Sequence, residues 1–486
     1  PLWNPHNGLG EPFLANPETA VLFPLSWLYV ALPMTVASFL ELYLKILVAA
    51  LGMYLFARRL GMGHSTAVIG GVAFGFLPHF ILHASDVASN SEMWIPWALA
   101  AALMYIETGR CRWAAALAGV LTLSLAGGAI QVWGGTLLLV SAFFLWFGRW
   151  EGPWRARVRY LAGFLTFIPW MLAASGGLWL QYLDYFGRSE SAVFDSRINL
   201  FLSPPAHLLQ LLVPSFFGDP RRGGGWAWAG PREVVLYAGV VALLLALTHM
   251  FSRGGGREKS FYLAAITLFW LLCLRQPAFL VNALLKSLPF SGMDLPQLFG
   301  LFNFCLLVPA LRALDGWRWR EKRWPLIAAA VTMGSGVALG AVVFCDFFQA
   351  LGLGPFELGN YAVFFLFLVA ATMALRNWER RRRLAFCALL ALTFADLYLV
   401  DRAIVDAVPV RTLQAGQEDL ARLVRSLPGG NGARFYTPEF PPESNLLYRI
   451  SSIGTCSPRT FAGFGRIAPL LDHHLRRGID LEEPDP

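Results

Sequence analysis

The stretch PLWNPHNGLGEPFLANPETAVLFPLSWLY, Pro1–Tyr29, decides how the rest of the chain is read. Pro1, Pro5, Pro12, Pro17 and Pro24 exclude an uninterrupted helix, and the stretch holds no Lys or Arg. It therefore reads as an ordered loop on the non-cytoplasmic side of a membrane. Asn4, His6, Asn7, Asn16, Glu11 and Glu18 give it hydrogen-bonding and acid/base capacity. Trp3, Phe13, Phe23, Trp27 and Tyr29 suit a membrane interface or the faces of sugars. Any chemistry is expected on this loop's side.

Working outward, apolar stretches able to cross a roughly 30 Å hydrocarbon core recur to about residue 401. About twelve are expected, over 36–57, 64–83, 93–108, 112–127, 130–148, 158–182, 233–251, 260–276, 297–314, 325–346, 360–376 and 384–401. The basic residues test that count. With the first loop outside, every second connection is cytoplasmic, and those connections hold Arg58 and Arg59; Arg110 and Arg112; Arg149, Arg155, Arg157 and Arg159; Arg253, Arg257 and Lys259; Arg318, Arg320, Lys322 and Arg323; Arg376 and Arg380–Arg383. The opening loop, the turn Ala84–Glu92, the turn near Gly128 and the loop Phe347–Asn360 hold none. This alternation fixes an orientation by the positive-inside rule, with the N-terminal loop and the C-terminal tail both external. The run Arg380–Arg383 reads as a topology anchor, the alternative being contact with anionic lipid or a partner.

Composition agrees. Of 486 residues, 56% are hydrophobic and 14% charged, which is not the balance of a soluble domain. The net charge of +8 is spread over short clusters between apolar runs, so nucleic acid is not an expected partner. Five of the six cysteines, Cys111, Cys273, Cys305, Cys345 and Cys387, lie in or beside apolar runs and form no C-x-x-C pair, which argues against a disulfide framework or a zinc site. The sequence opens on Pro1 without Met and closes on LEEPDP, and reads as a piece of a longer chain.

The expected organisation is a first extracytoplasmic loop (1–35), an N-terminal transmembrane bundle (36–182), a loop with an interfacial helix (183–232), a C-terminal transmembrane bundle (233–401) and a small extracytoplasmic α/β tail (402–486). In the long loop, Pro205–Val213 can form a short amphipathic helix at the interface, followed by a glycine run and the Trp226, Trp228 pair. Those rings either anchor the loop among headgroups or stack on sugar. In the tail, VRTLQAGQEDLARLVRSLPGG reads as a helix and ARFYTPEF as a strand.

Several residues could carry chemistry. Glu41 and Lys45 lie one turn apart inside the first span, as a structural ion pair or a functional one. Asp86 and Glu92 either stand solvated on an external turn or converge with the opening loop. Gln131 begins a helix flanked by glycines. Arg188, Arg197, Arg232 and Arg275 are unusual as external arginines near spans. They suit an anionic phosphate group, the alternative being neighbours such as Asp184, Asp195, Glu233 or Asp294. No P-loop, dinucleotide fingerprint, H-E-x-x-H or G-x-S-x-G motif is present.

The order of motifs resembles one family. WNPHNGLGEPFLANPETAVLFP is similar to the first external loop of YfhO-type bacterial membrane proteins, which resemble GT-C glycosyltransferases. The likeness continues through GMYLFARRLGMG, EMWIPWAL, Gln131, SPPAHLLQLLVPSFFG, the Leu288-Pro289-Phe290 motif and the C-terminal domain. It departs at Gly128-Ala129, which replaces a Gly-His pair, and at SGMDLPQ, where an Arg-Pro element is common.

The resemblance implies an all-α polytopic core of GT-C type with an external α/β tail, in a bacterial cytoplasmic membrane. It implies transfer of a sugar from a polyprenyl-phosphate donor to an envelope glycan, lipid or protein. In that family a carboxylate of the first external loop serves as base, and cations or a divalent metal, Mg or Mn, stabilise the departing phosphate. The acid most often assigned as base lies upstream of the WNP element, near the end of a first transmembrane helix that precedes Pro1. Within this sequence the acid/base candidates are Glu18, Glu11, Asp86 and Glu92. Arg188, Arg197 and Arg275 are the candidate phosphate ligands, and Asn4, His6, Asn16, Gln131, Trp226 and Trp228 the sugar or acceptor contacts. The competing classes are a scaffold that binds a protein partner, and a transporter, which should show inverted repeats.

Overall fold

The first long helix, α1 (Met34–Arg59), starts directly after Pro33 and ends in Arg58 and Arg59, cations that suit the negative end of a helix. One face stays exposed along its length, with Val36, Phe39, Tyr43 and Leu47 at helical spacing, as expected of a lipid-facing surface. Its other face packs on α2 (His64–Gly75) and α5 (Ile95–Thr108). Small residues permit that approach. A Cβ on Gly71 would stand 2.8 Å from the Ala50 carbonyl oxygen, and one on Gly52 2.5 Å from the Trp97 indole, whose N–H donates to the Val48 carbonyl at 3.0 Å.

The computed structural model describes residues 3–4, 11–190, 205–214, 216, 236–274, 295–343, 358–404, 434–435, 451–452 and 460–461. Each of the twelve predicted apolar stretches contains helix. After α1 and α2 come the short helices α3 (Pro78–Leu82) and α4 (Val87–Glu92), then α5, α6 (Cys111–Ala126), α7 (Ile130–Phe147), α8 (Trp154–Leu165) and α9 (Phe167–Arg188). The second half holds α10 (Val240–Phe251), α11 (Gly256–Leu272), α12 (Phe299–Asp315), α13 (Trp319–Val343), α14 (Leu358–Arg376) and α15 (Arg382–Ile404). Among the described residues six helical segments are long and apolar enough to cross a bilayer by themselves, and three more are apolar but shorter. This is a multi-pass membrane protein.

Helix α12 is the hub. It is buried from Phe299 to Leu311 and packs on α10, α11 and α2. Leu311 closes onto Gly70 of α2, and Phe304 makes an edge-on contact with Phe74 at 5.8 Å. A helix enclosed by protein needs no lipid-matching length, which explains why α12 is shorter than a typical span.

The stretch predicted as one span over 64–83 is broken. Pro78 cannot donate to the preceding turn and pushes Leu77 into an extended conformation (φ −61°, ψ 130°), so α2 ends and α3 restarts at a new angle. The expected amphipathic helix after Pro205 is a 3-10 helix, Pro205–Leu211. Leu209 packs on Gly340 of α13 and Leu212 on Gly336, so the segment is tied to the bundle. His207 is buried there, and burial pushes its imidazole down to about 4. In the tail, Arg434–Phe435 forms a short strand parallel to Ser451–Ser452, and Thr460–Phe461 pairs antiparallel with Ser189–Glu190 at the end of α9. The tail helix expected from Val410 lies outside the described residues.

Candidate functional site

The opening loop folds back on the bundle. Asn16 caps a 3-10 turn, Pro17–Thr19, its Oδ1 accepting the Glu18 N–H at 3.0 Å, while the Thr19 hydroxyl donates to the Phe13 and Asn16 carbonyls at 2.8 Å each. Ala20 closes this turn in the left-handed region (φ 44°), and Phe23 is fully buried. Gly128 sits at φ +97° directly against the Pro17 carbonyl, where any side chain would collide. Val87 lies on the same glycine, so three segments meet: the opening loop, the 84–92 segment and the turn before α7. Ser91 and Ser124 exchange hydroxyl-to-carbonyl bonds at 2.7 and 3.2 Å, and Asn90 donates to the Gly127 carbonyl at 3.3 Å.

Beneath this junction lie paired ionisable groups. Lys45 of α1 is 1% exposed, stands 2.8 Å from Glu41 Oε1, and donates to the Ala84 carbonyl at 2.8 Å. The Tyr29 hydroxyl donates to Glu41 Oε2 at 2.7 Å. The Glu41–Lys45 pair is therefore intact, and it ties the opening loop to α1 and to the turn after α3.

The restart at Pro78 aims two histidines, one turn apart on α3 and its C-terminal cap, at two carboxylates. His79 Nδ1 is 3.2 Å from Glu92 Oε2, and both side chains are buried. His83 Nδ1 is 3.1 Å from Asp86 Oδ2, with the Asp86 side chain 38% exposed. The two imidazoles lie 4.7 Å apart, centroid to centroid. Asp86 stands at the N-cap position of α4 yet caps no backbone N–H, its carboxylate being turned to His83 instead. Solvation does not describe Glu92, since it is fully enclosed. Its carboxylate presses on Gly300, in the first turn of α12, where a side chain would collide with it. That position suits an anion because the positive end of the helix dipole faces it.

Gln131, at the start of α7, contacts the Gln297 carboxamide oxygen and so links the two halves of the chain at the same end. Glu18 is exposed on its turn. Asn4 and Glu11 stand opposite each other in a two-residue antiparallel ladder. Arg188 is the last residue of α9. His6, Arg197, Arg232, Arg275, Trp226 and Trp228 lie outside the described residues. His79 and His83 were not singled out in the sequence. The available signal was the i, i+4 histidine spacing in PHFILHASD immediately after a helix-breaking proline.

Among the described residues no three His, Cys, Asp or Glu side chains converge as ligands for a metal ion. Each carboxylate is instead taken up by an imidazole, a set of separate pairs that does not fit Mg or Mn, which favour several converging oxygen ligands. What the arrangement can do is move a proton at a half-exposed carboxylate backed by imidazole.

No protein-family model matches the sequence, and no curated protein matches it. Two solved structures share its fold. Over 95% of this chain, arabinofuranosyltransferase AftD from Mycobacteria superimposes with a TM-score of 0.53 at 16% identity, and the chain spans 29% of that protein. ArnT from Cupriavidus metallidurans, solved bound to undecaprenyl phosphate, superimposes over 95% of this chain and 81% of its own with a TM-score of 0.51 at 14% identity. The chain therefore shares the all-α, polytopic membrane fold of these two structures, an architecture that its sequence led us to expect.

Proposed function

We propose that this protein is a membrane glycosyltransferase of YfhO type, which takes a sugar from a polyprenyl-phosphate donor and passes it to a hydroxyl of a cell-envelope acceptor. The reading places the protein in a bacterial inner membrane, with the opening loop and the tail outside. One observation carries it: in a GT-C-like fold, the Asp86–His83 pair lies beneath the junction where the opening loop meets the bundle. Both fold neighbours act on or bind the expected chemistry, AftD by its name as an arabinofuranosyltransferase and ArnT by its bound undecaprenyl phosphate.

In this reading the acceptor hydroxyl gives its proton to the Asp86–His83 pair as its oxygen bonds to the sugar's anomeric carbon. The bond from that carbon to the donor phosphate breaks, and the lipid phosphate leaves with the electron pair. Glu92 is too enclosed to touch the acceptor, so Asp86 is preferred over it. Arg188, Arg197 and Arg275 are the cations offered to the phosphate. Glu18, Glu11, Asn4, His6, Asn16, Gln131, Trp226 and Trp228 are offered to the acceptor or the sugar.

The test is sugar transfer in lipid vesicles from a panel of polyprenyl-phosphate sugars, with an envelope fraction as acceptor. Transfer by the wild type and its loss in folded Asp86→Asn is the expected result. Absence of transfer from every donor, by protein shown to be folded, overturns the reading.

A further inference from the structure

We infer that the buried His79–Glu92 pair is a positioning element for His83, holding that ring with Nδ1 toward Asp86. The inference rests on the reading of Asp86–His83 as the proton-accepting pair, and it assigns His79 and Glu92 a role without contact to substrate.

The argument starts from what burial allows. Glu92 is fully enclosed, yet only one of its oxygens has a partner: Oε2 faces His79, and Oε1 has no hydrogen-bond partner. An enclosed carboxylate needs compensation, and the first turn of α12 at Gly300 supplies it through the helix dipole. An ionised Glu92 can only accept, so His79 must carry its proton on Nδ1 and donate it. His79 Nε2 is buried with no partner, which fits the unprotonated nitrogen of that tautomer. A proton there would be a buried donor without an acceptor.

His79 is thus fixed in both ring orientation and tautomer. Its other face is set by Phe299, edge-on at 6.5 Å. His83 packs on the fixed ring at 4.7 Å, its plane tilted by 50° to that of His79, so the position of one ring bears on the other. Two charged groups flank the His83 segment. Asp86 takes its Nδ1–H, while Lys45, held by Glu41 and the Ala84 carbonyl, closes the α1 side. The result resembles the logic by which a carboxylate orients a catalytic imidazole, applied here through a second imidazole.

The experiment uses the protein labelled with nitrogen-15 histidine, in nanodiscs at neutral pH, beside Glu92→Gln and the apolar pair His79→Phe/Glu92→Leu. The double variant fills the space without polar atoms and guards against simple unfolding. In the wild type His83 should show one tautomer, protonated at Nδ1 and bare at Nε2. In either folded variant the His83 resonances should move toward a mixture of tautomers. In the transfer assay kcat should fall about ten- to a hundredfold with KM within about twofold, because orientation and not binding is lost.

Unchanged His83 resonances in a folded variant overturn the inference. So does unchanged kcat in a variant of an active enzyme, and that result leaves the proposed function standing. If the wild type transfers nothing from any donor while His83 responds as expected, the function falls and the positioning contact stands.

Discussion

The two ends of this helical bundle both bury charge, and they handle it in opposite ways. At the end that carries the arginine clusters, cations meet the C-terminal carbonyls of helices. Lys322 donates to the Ala313 carbonyl at 2.6 Å, Lys259 to that of Ser252, and Arg312 to Leu60 at 3.0 Å while pairing with Glu258 at 2.7 Å. Asp315 accepts the Gly63 N–H at 2.6 Å. These are the negative ends of α10, α12 and α1, so these three cations neutralise helix termini and join them. At the loop end, carboxylates meet imidazoles instead; buried polar atoms without a partner occur at both ends, His79 Nε2, Glu92 Oε1 and both side-chain atoms of Asn303 here, and His249 Nε2 beside Lys259 and Lys322 there. The difference teaches that a cluster of charge signals chemistry only when helix geometry has not already used it.

Variants can break this comparison, and the largest effect is expected at the half-exposed carboxylate. Asp86→Asn should cost roughly a hundred- to ten-thousandfold in transfer with the melting temperature nearly unchanged, because the residue is a proton acceptor and not a packing element. Lys45→Met comes next and acts on stability. It strands Glu41 against Tyr29 and frees the Ala84 carbonyl, so unfolding in detergent should show a loss of about 3 kcal/mol. Restoring balance with Glu41→Leu in the same chain should recover much of it. Gly300→Ala should cost about 1–3 kcal/mol and displace Glu92 from His79, visible as altered histidine resonances along with the lower melting temperature. Smallest is Lys322→Met at the opposite end. One carbonyl bond is lost, stability should fall by about 1 kcal/mol, and the transfer rate of folded protein should not change.

Much of the fold was legible because apolar runs and basic connections are local signals that a bilayer reads directly. The positions of α1, α7, α13 and α15 follow from composition alone. The α2–α3 break is signalled by Pro78, but the flanking residues are apolar enough for the stretch to pass for one span. The site was only partly legible. Asp86 and Glu92 stood out as carboxylates in a basic-free turn, but which one is enclosed depends on Gly300, more than two hundred positions away. The Gln131–Gln297 link spans 166 positions and left no mark in either local sequence. Asn16 has a local task that its residue type alone does not show, its side-chain oxygen capping the Pro17–Thr19 turn.

The central claim is that the loop end performs the chemistry while the basic end holds helices together. The most direct measurement is transfer from polyprenyl-phosphate sugars in vesicles by wild type, Asp86→Asn and Lys322→Met, each checked for folding. The account predicts transfer by the wild type and Lys322→Met at similar rates and near-complete loss in Asp86→Asn. Equal transfer by all three, or loss confined to Lys322→Met, would contradict it.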